Sequence, residues 1–419
     1  MRKLGSLLVV LGLLLVPASL AGAEAPSTDR QSAANYAARW VGDQVNGSGA
    51  IESAPGTASP GLTAQGVLAL VAASVGPDQV AAMIGYLEQD VDGQVQDDGG
   101  VDQAGPLALL ILDAVATAKD PTAFGDGGDL VARLEATQQP DGLYGEQDPT
   151  FDGAFRQGLA LAALGAAGVD DPEGVQWLVD QQCDDGGWTA FRADTSTACP
   201  PVDPVNFTGE DTNSTALAMI GLAAHDAVPT SPDPTAFLQS IRADDGGWSY
   251  LADPDGASDA NSTGLVIQAL LADAGGGMPD AQGIEVLRAL QIGCDAPAED
   301  RGAIAFQADP DGSLTPNALS TIQVLPALAA AFFPLSPRTL GPLPGAPNCD
   351  PAPPATTTTA VAAVPTTAAV AAATAAGTLP ATGAGTEDVS SRRMARIGLA
   401  LVMAGIGLMG LRRRRPVWW

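Results

Sequence analysis

Basic residues are scarce over most of this chain. Residues 24–382 hold ten arginines and lysines against 46 acids, a net charge of −36, and Lys119 is the one lysine among them. Such a surface repels phosphate backbones and anionic lipids, so nucleic acid is excluded as an expected partner. Plain solubility explains the charge, and cations or basic partners remain candidates. Histidine occurs once, as His225, so no histidine cluster can form a metal centre; a cation at a helix C-terminus is its expected role. No cofactor and no metal are expected. Aromatic residues make up 5% of the chain, which is few for a cavity walled by rings.

Both ends read as processing signals. Arg2 and Lys3 precede an apolar run through Val16, and Ala21-Gly22-Ala23 follows. A charged start, an apolar run and a small-residue site make a secretory signal peptide over 1–23, cleaved between Ala23 and Glu24. The other end carries Leu379-Pro380-Ala381-Thr382-Gly383, an apolar run over 397–411 and Arg412 to Arg415. The run is marginal for a membrane span, and the arginines would keep the end cytoplasmic. This order resembles the sorting signal of Gram-positive cell-wall proteins. The resemblance implies that sortase cuts between Thr382 and Gly383 and joins Thr382 to peptidoglycan. The expected location is then secreted and wall-attached, touching membrane only through the tail before sorting. Ahead of the signal, residues 341–378 are Pro/Ala/Thr-rich without apolar periodicity and read as an extended spacer.

Four cysteines, Cys183, Cys199, Cys294 and Cys349, in an exported chain suggest two disulfides. Three connectivities are possible; proximity in sequence favours Cys183–Cys199 and Cys294–Cys349.

Between the signals, residues 24–340 repeat. Val41, Leu87, Leu134, Leu178, Leu238 and Leu287 are equivalent positions in amphipathic runs, spaced by 46, 47, 44, 60 and 49 residues. After each run comes a helix apolar on almost every side, at 59–73, 102–117, 154–168, 211–226, 259–274 and 315–333. A helix apolar all round is buried, so six outer helices alternate with six inner ones. Hairpins of this period cannot bury their faces singly. With inner helices this apolar, a closed ring is expected over an open solenoid. The runs end in turns such as "CDDGGW", Cys183 to Trp188. There Gly186 can adopt the left-handed conformation that stops a helix, and Trp188 folds back as an apolar latch.

Trp177-Leu178, Gln182, Gly186 and Trp188 are similar to the QW repeat of squalene and hopene cyclases. Leu134, Gln138, Gly142 and Tyr144 repeat the spacing, and so do Leu238, Arg242, Gly246 and Trp248. The resemblance covers about residues 28–340. It implies an all-α fold, the α/α toroid shared by triterpene cyclases, protein prenyltransferase β subunits, cobalamin carriers and complement thioester domains. It says little about activity.

The chemistries of those families leave signatures. The cyclase motif DxDDTA finds its nearest match in "DTNSTA", Asp211 to Ala216, with Asn213 where the protonating acid would stand; an amide cannot take that role. The prenyltransferase zinc ligands and the Cys-Gly-Glu-Gln run of thioester domains are absent, and no β domain follows as in cobalamin carriers. A glycosidase would need two facing carboxyls; Asp102, Asp113, Glu210, Asp211 and Asp259 are the candidates. Asp113, inside an apolar helix, is expected to cap backbone or to face water. The turns Asp253 to Gly256 and Asp309 to Gly312 are ordinary tight turns that could also ligate calcium.

One constellation recurs at the starts of three inner helices: Asp211, Asn213 and Thr215; Asn261 and Thr263; and Asn317. Such residues are ordinary caps. In a toroid, however, these starts converge on one mouth, where amides and N–H dipoles could bind a polar ligand. The leading expectation is a non-enzymatic surface module binding a small molecule or surface partner at this mouth. The alternatives are a glycan-active or degenerate cyclase-like enzyme and a cobalamin-carrier-like ligand binder.

Overall fold

The computed structural model describes residues 27–146, 153–347 and 349. The signal cleavage site at Ala23 and Glu24 and everything from residue 350 on, including Leu379 to Gly383, lie outside the described residues. Among the described residues, no helix is long and apolar enough to cross a membrane.

In chain order the elements are α1 (Ser27–Asp43), the hairpin β1 (Glu52–Ala54) and β2 (Thr57–Ala58), α2 (Pro60–Ala72), α3 (Pro77–Leu87), α4 (Val91–Val95) and α5 (Ala104–Ala116). Then come α6 (Leu130–Ala136), α7 (Ala154–Ala167), α8 (Pro172–Asp180), α9 (Thr212–Ala223), α10 (Pro234–Ser240) and α11 (Ala260–Asp273). The last are α12 (Ala281–Ala289), the hairpin β3 (Ala305–Ala308) and β4 (Leu314–Pro316), and α13 (Ala318–Leu328).

Helices α2, α5, α7, α9, α11 and α13 pack each on the next, and α13 packs back on α2, closing a ring. Helices α1, α3, α6, α8, α10 and α12 lie outside it. This is the expected α/α toroid of six hairpins. The six aligned positions Val41, Leu87, Leu134, Leu178, Leu238 and Leu287 are all fully buried, each stabilising by roughly 1.5–3 kcal/mol. Small residues bring the inner helices close. A Cβ on Gly158 of α7 would lie 2.1 Å from the Leu217 carbonyl oxygen of α9, and one on Gly221 would lie 2.3 Å from that of Gly158.

Much of the acidity is used locally. Asp129, Asp171, Asp211, Asp233, Asp259 and Asp280 each cap a helix by accepting a backbone N–H. A carboxylate there also meets the positive end of the helix dipole.

The turns work as latches. Trp188 and Trp248 are fully buried, and their indole N–H groups donate back to the carbonyls of Leu178 (2.8 Å) and Leu238 (2.7 Å). Gly186 has φ +108°, and a Cβ there would meet the Asp233 carbonyl oxygen at 2.8 Å, so a larger residue is excluded twice. In four of the six repeats the side chain four places after the aligned Leu joins its repeat to the next. Gln138 donates to Asp171, Gln182 to the Pro232 carbonyl, and Arg242 to Asp280. Gln291 repeats the spacing and donates to the Ala33 carbonyl at 2.9 Å, which joins the sixth repeat to the first. The Trp40 indole closes the same seam by donating to the Glu299 carbonyl.

Both favoured disulfides are present, Cys183–Cys199 and Cys294–Cys349. Two expected boundaries move. Asn317 caps the last inner helix, so the helix begins after β4 rather than at 315; it ends before Ala330, whose φ is +55°. Phe332 and Phe333 therefore lie beyond it. Helix α8 stops at Asp180, short of Cys183.

Candidate functional site

The inner helices run parallel, so their N-termini share one mouth. A fixed point sets their rotation. Four places after the N-cap, Thr63, Thr215, Thr263 and Thr321 accept the backbone N–H of Ile51, Trp188, Trp248 and Ile304 in the hairpin turns. Gln157 does the same for Tyr144. That direction is outward, toward the outer layer. At 100° per residue, the residues two, six and nine places after the cap then face the ring axis.

These axial rows carry no charged residue. The row at six places consists of Gln65, Leu109, Leu159, Leu217, Leu265 and Gln323, amide on one side and leucine on the other. The rim above it, at two places, includes Gly61, Gly105, Asn213 and Asn261. Below, on the row at nine places, Leu68, Leu112, Ile220 and Pro326 are buried. By this rotation the row at six places stands about 6 Å below the rim at 1.5 Å rise per residue, an arrangement we read as a shallow cup.

A chain of amides crosses the polar side. The Ser320 hydroxyl donates to Asn261 Oδ1 at 2.7 Å, Asn261 Nδ2 to Gln323 Oε1 at 2.5 Å, and Gln323 Nε2 to Gln65 Oε1 at 2.9 Å. Three helices, α11, α13 and α2, thus hold one another at the mouth. Asn213 Oδ1 and, deeper, Gln268 Oε1 are buried acceptors without a hydrogen-bond donor. A buried acceptor left so costs about 1–3 kcal/mol, and both sit on axial rows.

The residues singled out in the sequence separate into three roles. Asp211, Asp259 and Asn317 are the N-caps, accepting from Ser214, Ser262 and Ser320. Asn213 and Asn261 do not cap; they stand one turn in, on the rim. Thr215 and Thr263 point away from the mouth and are committed to the latches. Gln65, Gln323 and Gln268 belong to the axial set and were not singled out. They become visible once the pattern Asp/Asn-x-x-Ser-Thr, at 211, 259 and 317, is read as cap plus outward hydroxyl.

Burial pushes the carboxyls of Asp211 and Asp259 up to about 6 each, against the hydrogen bonds from Ser214 and Ser262. Their charges, Asp211 first, together with burial push the Tyr250 phenol up. Glu210 is raised by burial. Asp113, expected to cap or to face water, does neither. It is fully buried on the inner helix α5, both carboxyl oxygens lack a donor, and burial holds it well above the carboxylate range. Its place ten residues after the α5 cap turns it toward α2, off the axis. Asp102 is paired with Arg133, whose hydrogen bonds hold it below the usual range.

His225 donates from Nε2 to the Leu161 carbonyl at 2.9 Å. The two Asp-Pro-Asp-Gly turns use their carboxylates internally: Asp253 accepts from Asp255 N, and Asp309 from the Ser313 and Thr315 hydroxyls. Among the described residues, the one cluster of atoms close enough for a metal is Cys183, Cys199 and Glu210, and both sulfurs are in the disulfide.

No family model matches the chain, and no curated protein does. Solved structures similar to it include a protein from Actinoplanes, 17% identical, TM-score 0.46, covering 72% of this chain and 99% of that one. The type II terpene cyclase MstE from Scytonema is 16% identical, TM-score 0.44, covering 72% and 98%. An unsaturated glucuronyl hydrolase specific for heparin is 14% identical, TM-score 0.49, covering 72% and 96%.

Proposed function

We propose that this chain is an extracellular toroid, attached to a Gram-positive cell wall through Thr382, that binds a small uncharged hydrogen-bonding ligand in the cup at the inner-helix N-termini. The observation that carries this reading is the amide chain Asn261–Gln323–Gln65 facing a leucine wall, uncharged in a protein of net charge −29. A cup of that kind offers donors and acceptors on one side and an apolar surface on the other, the usual division in ligand sites. Asn213 Oδ1 supplies an acceptor with no internal donor. An ion would find no counter-charge on these rows.

Sortase and peptidoglycan are the proposed partners of the C-terminal signal. Carbocation chemistry fits poorly, because Asn213 holds the place of the protonating acid and the row at six places carries leucines and amides but no aromatic ring. To test the binding reading, the purified chain is screened by ligand-observed NMR against neutral sugars and small amides. Binding that is lost in Gln323→Leu while melting stays within a few degrees supports it. No binder, or binders indifferent to Gln323→Leu and Asn213→Ala, would sink it.

A further inference from the structure

A second concave surface lies on the outer wall, along α8, and does not depend on the reading of the cup. The segment after the Trp188 latch folds back over α8 and is tied down by Cys183–Cys199. Between this segment, α8 and the turn at Pro140 is an open groove of about 390 Å³. Its floor is an aromatic pair, Trp177 and Phe191, stacked with centroids 6.3 Å apart. Its edges carry Asp141, Glu173 and Asp180. The one basic side chain there, Arg192, directs its guanidinium at the carbonyls of Gln181, Gln182, Thr195 and Thr197. It therefore builds the far wall.

The spacing on α8 selects a ligand shape. Glu173, Trp177 and Asp180 fall at i, i+4 and i+7, one face of the helix. The two carboxylates stand about 10 Å apart along it, at 1.5 Å per residue. A polyproline II segment rises about 3.1 Å per residue and returns to the same face every third residue, about 9 Å on. Two basic side chains three residues apart therefore match the two acids. Their alkyl stems would cross the Trp177–Phe191 edge while the cations meet the carboxylates.

We propose that this groove docks an extended basic peptide segment, with lysine or arginine at every third position, on Glu173, Asp180 and the Trp177–Phe191 pair. A strongly acidic surface alone would attract any polycation; the groove adds an aromatic floor and a fixed carboxylate spacing, which favour a peptide over a mobile polyamine.

The test is fluorescence anisotropy with the full chain and a labelled twelve-residue Pro-Pro-Arg repeat. Glu173→Gln with Asp180→Asn is compared with Asp309→Asn and Asp311→Asn, which remove the same charge elsewhere. The expected result is about a tenfold or greater loss of affinity for the first pair, about 1.4 kcal/mol or more, with little change for the second. Both variants should melt with the parent. Spermidine should compete poorly at matched charge. Equal loss in the two variants would mean diffuse electrostatics and overturn the proposal. So would spermidine competing as well as the peptide, or no binding by the parent.

Discussion

Replacing Asp259 by asparagine should stabilise the protein at neutral pH and do nothing at pH 4. Asp259 caps α11 from a fully buried position, accepting from Ser262 N and Ser262 Oγ at 2.8 Å each. Burial raises its carboxyl from the ordinary 3.8 to about 6. A raised acid is protonated in the folded state while the unfolded chain has already ionised. Its contribution is therefore whole below about pH 4 and is lost as pH rises to about 6, where the folded form must also ionise. Two units correspond to roughly 3 kcal/mol at about 1.4 kcal/mol per unit. Asparagine keeps the cap, because its Oδ1 can still accept from Ser262 N, and it cannot ionise. The variant should thus gain up to about 3 kcal/mol above pH 7 and be near neutral at pH 4. Urea unfolding followed by tryptophan fluorescence at both pH values measures this. A gain of the same size at both, or a loss at pH 8, would show that buried charge is not what limits this cap.

Asp113→Leu removes two carboxyl oxygens with no donor from the interior and should raise stability by about 1–3 kcal/mol at neutral pH; a lower melting temperature would reveal a hidden partner. Cys183→Ser with Cys199→Ser opens a loop of sequence separation 16 and should cost about 3 kcal/mol by loop-closure entropy, read by urea unfolding against the oxidised parent. Gln291→Ala removes donors to the Ala33 and Gly302 carbonyls and should cost about 1–3 kcal/mol, with hydrogen exchange rising first at the α1–α12 seam; uniform protection would refute its closing role. Leu379→Ala with Pro380→Ala should release the protein from the wall fraction into the medium, and unchanged wall retention would end the anchoring proposal.

The ring was legible because its signals are local and repeated. Inner helices apolar on all faces had to be buried, and the Gly-Trp turns had to end the outer ones. The α12–α1 closure follows the same grammar, with Gln291 at the position of Gln138 and Gln182. The cup was half legible. Asn213 and Asn261 were visible, but which residue is the cap decides which way every later side chain points. That decision rests on the extended backbone at Asp211 and Asp259. Once it is made, Gln65 and Gln323 fall on the axis and Thr215 and Thr263 on the outside. Asp113 was unreadable for another reason: its lack of partners is a property of neighbours from a different helix. The groove on α8 depends on a segment folding back across the disulfide, a contact that no periodicity encodes.

The Cys294–Cys349 bridge has a mechanical consequence. Tension applied to the chain beyond residue 349 enters the toroid at Cys349 and crosses directly to Cys294, just past α12. The intervening stretch includes α13, the helix that closes the inner ring on α2 and α1. It lies off the line of force. Under the proposed wall attachment, a pull at this end would not peel away the last hairpin while the bridge is oxidised. Reduced, the same pull would unzip the ring from the helix that completes it.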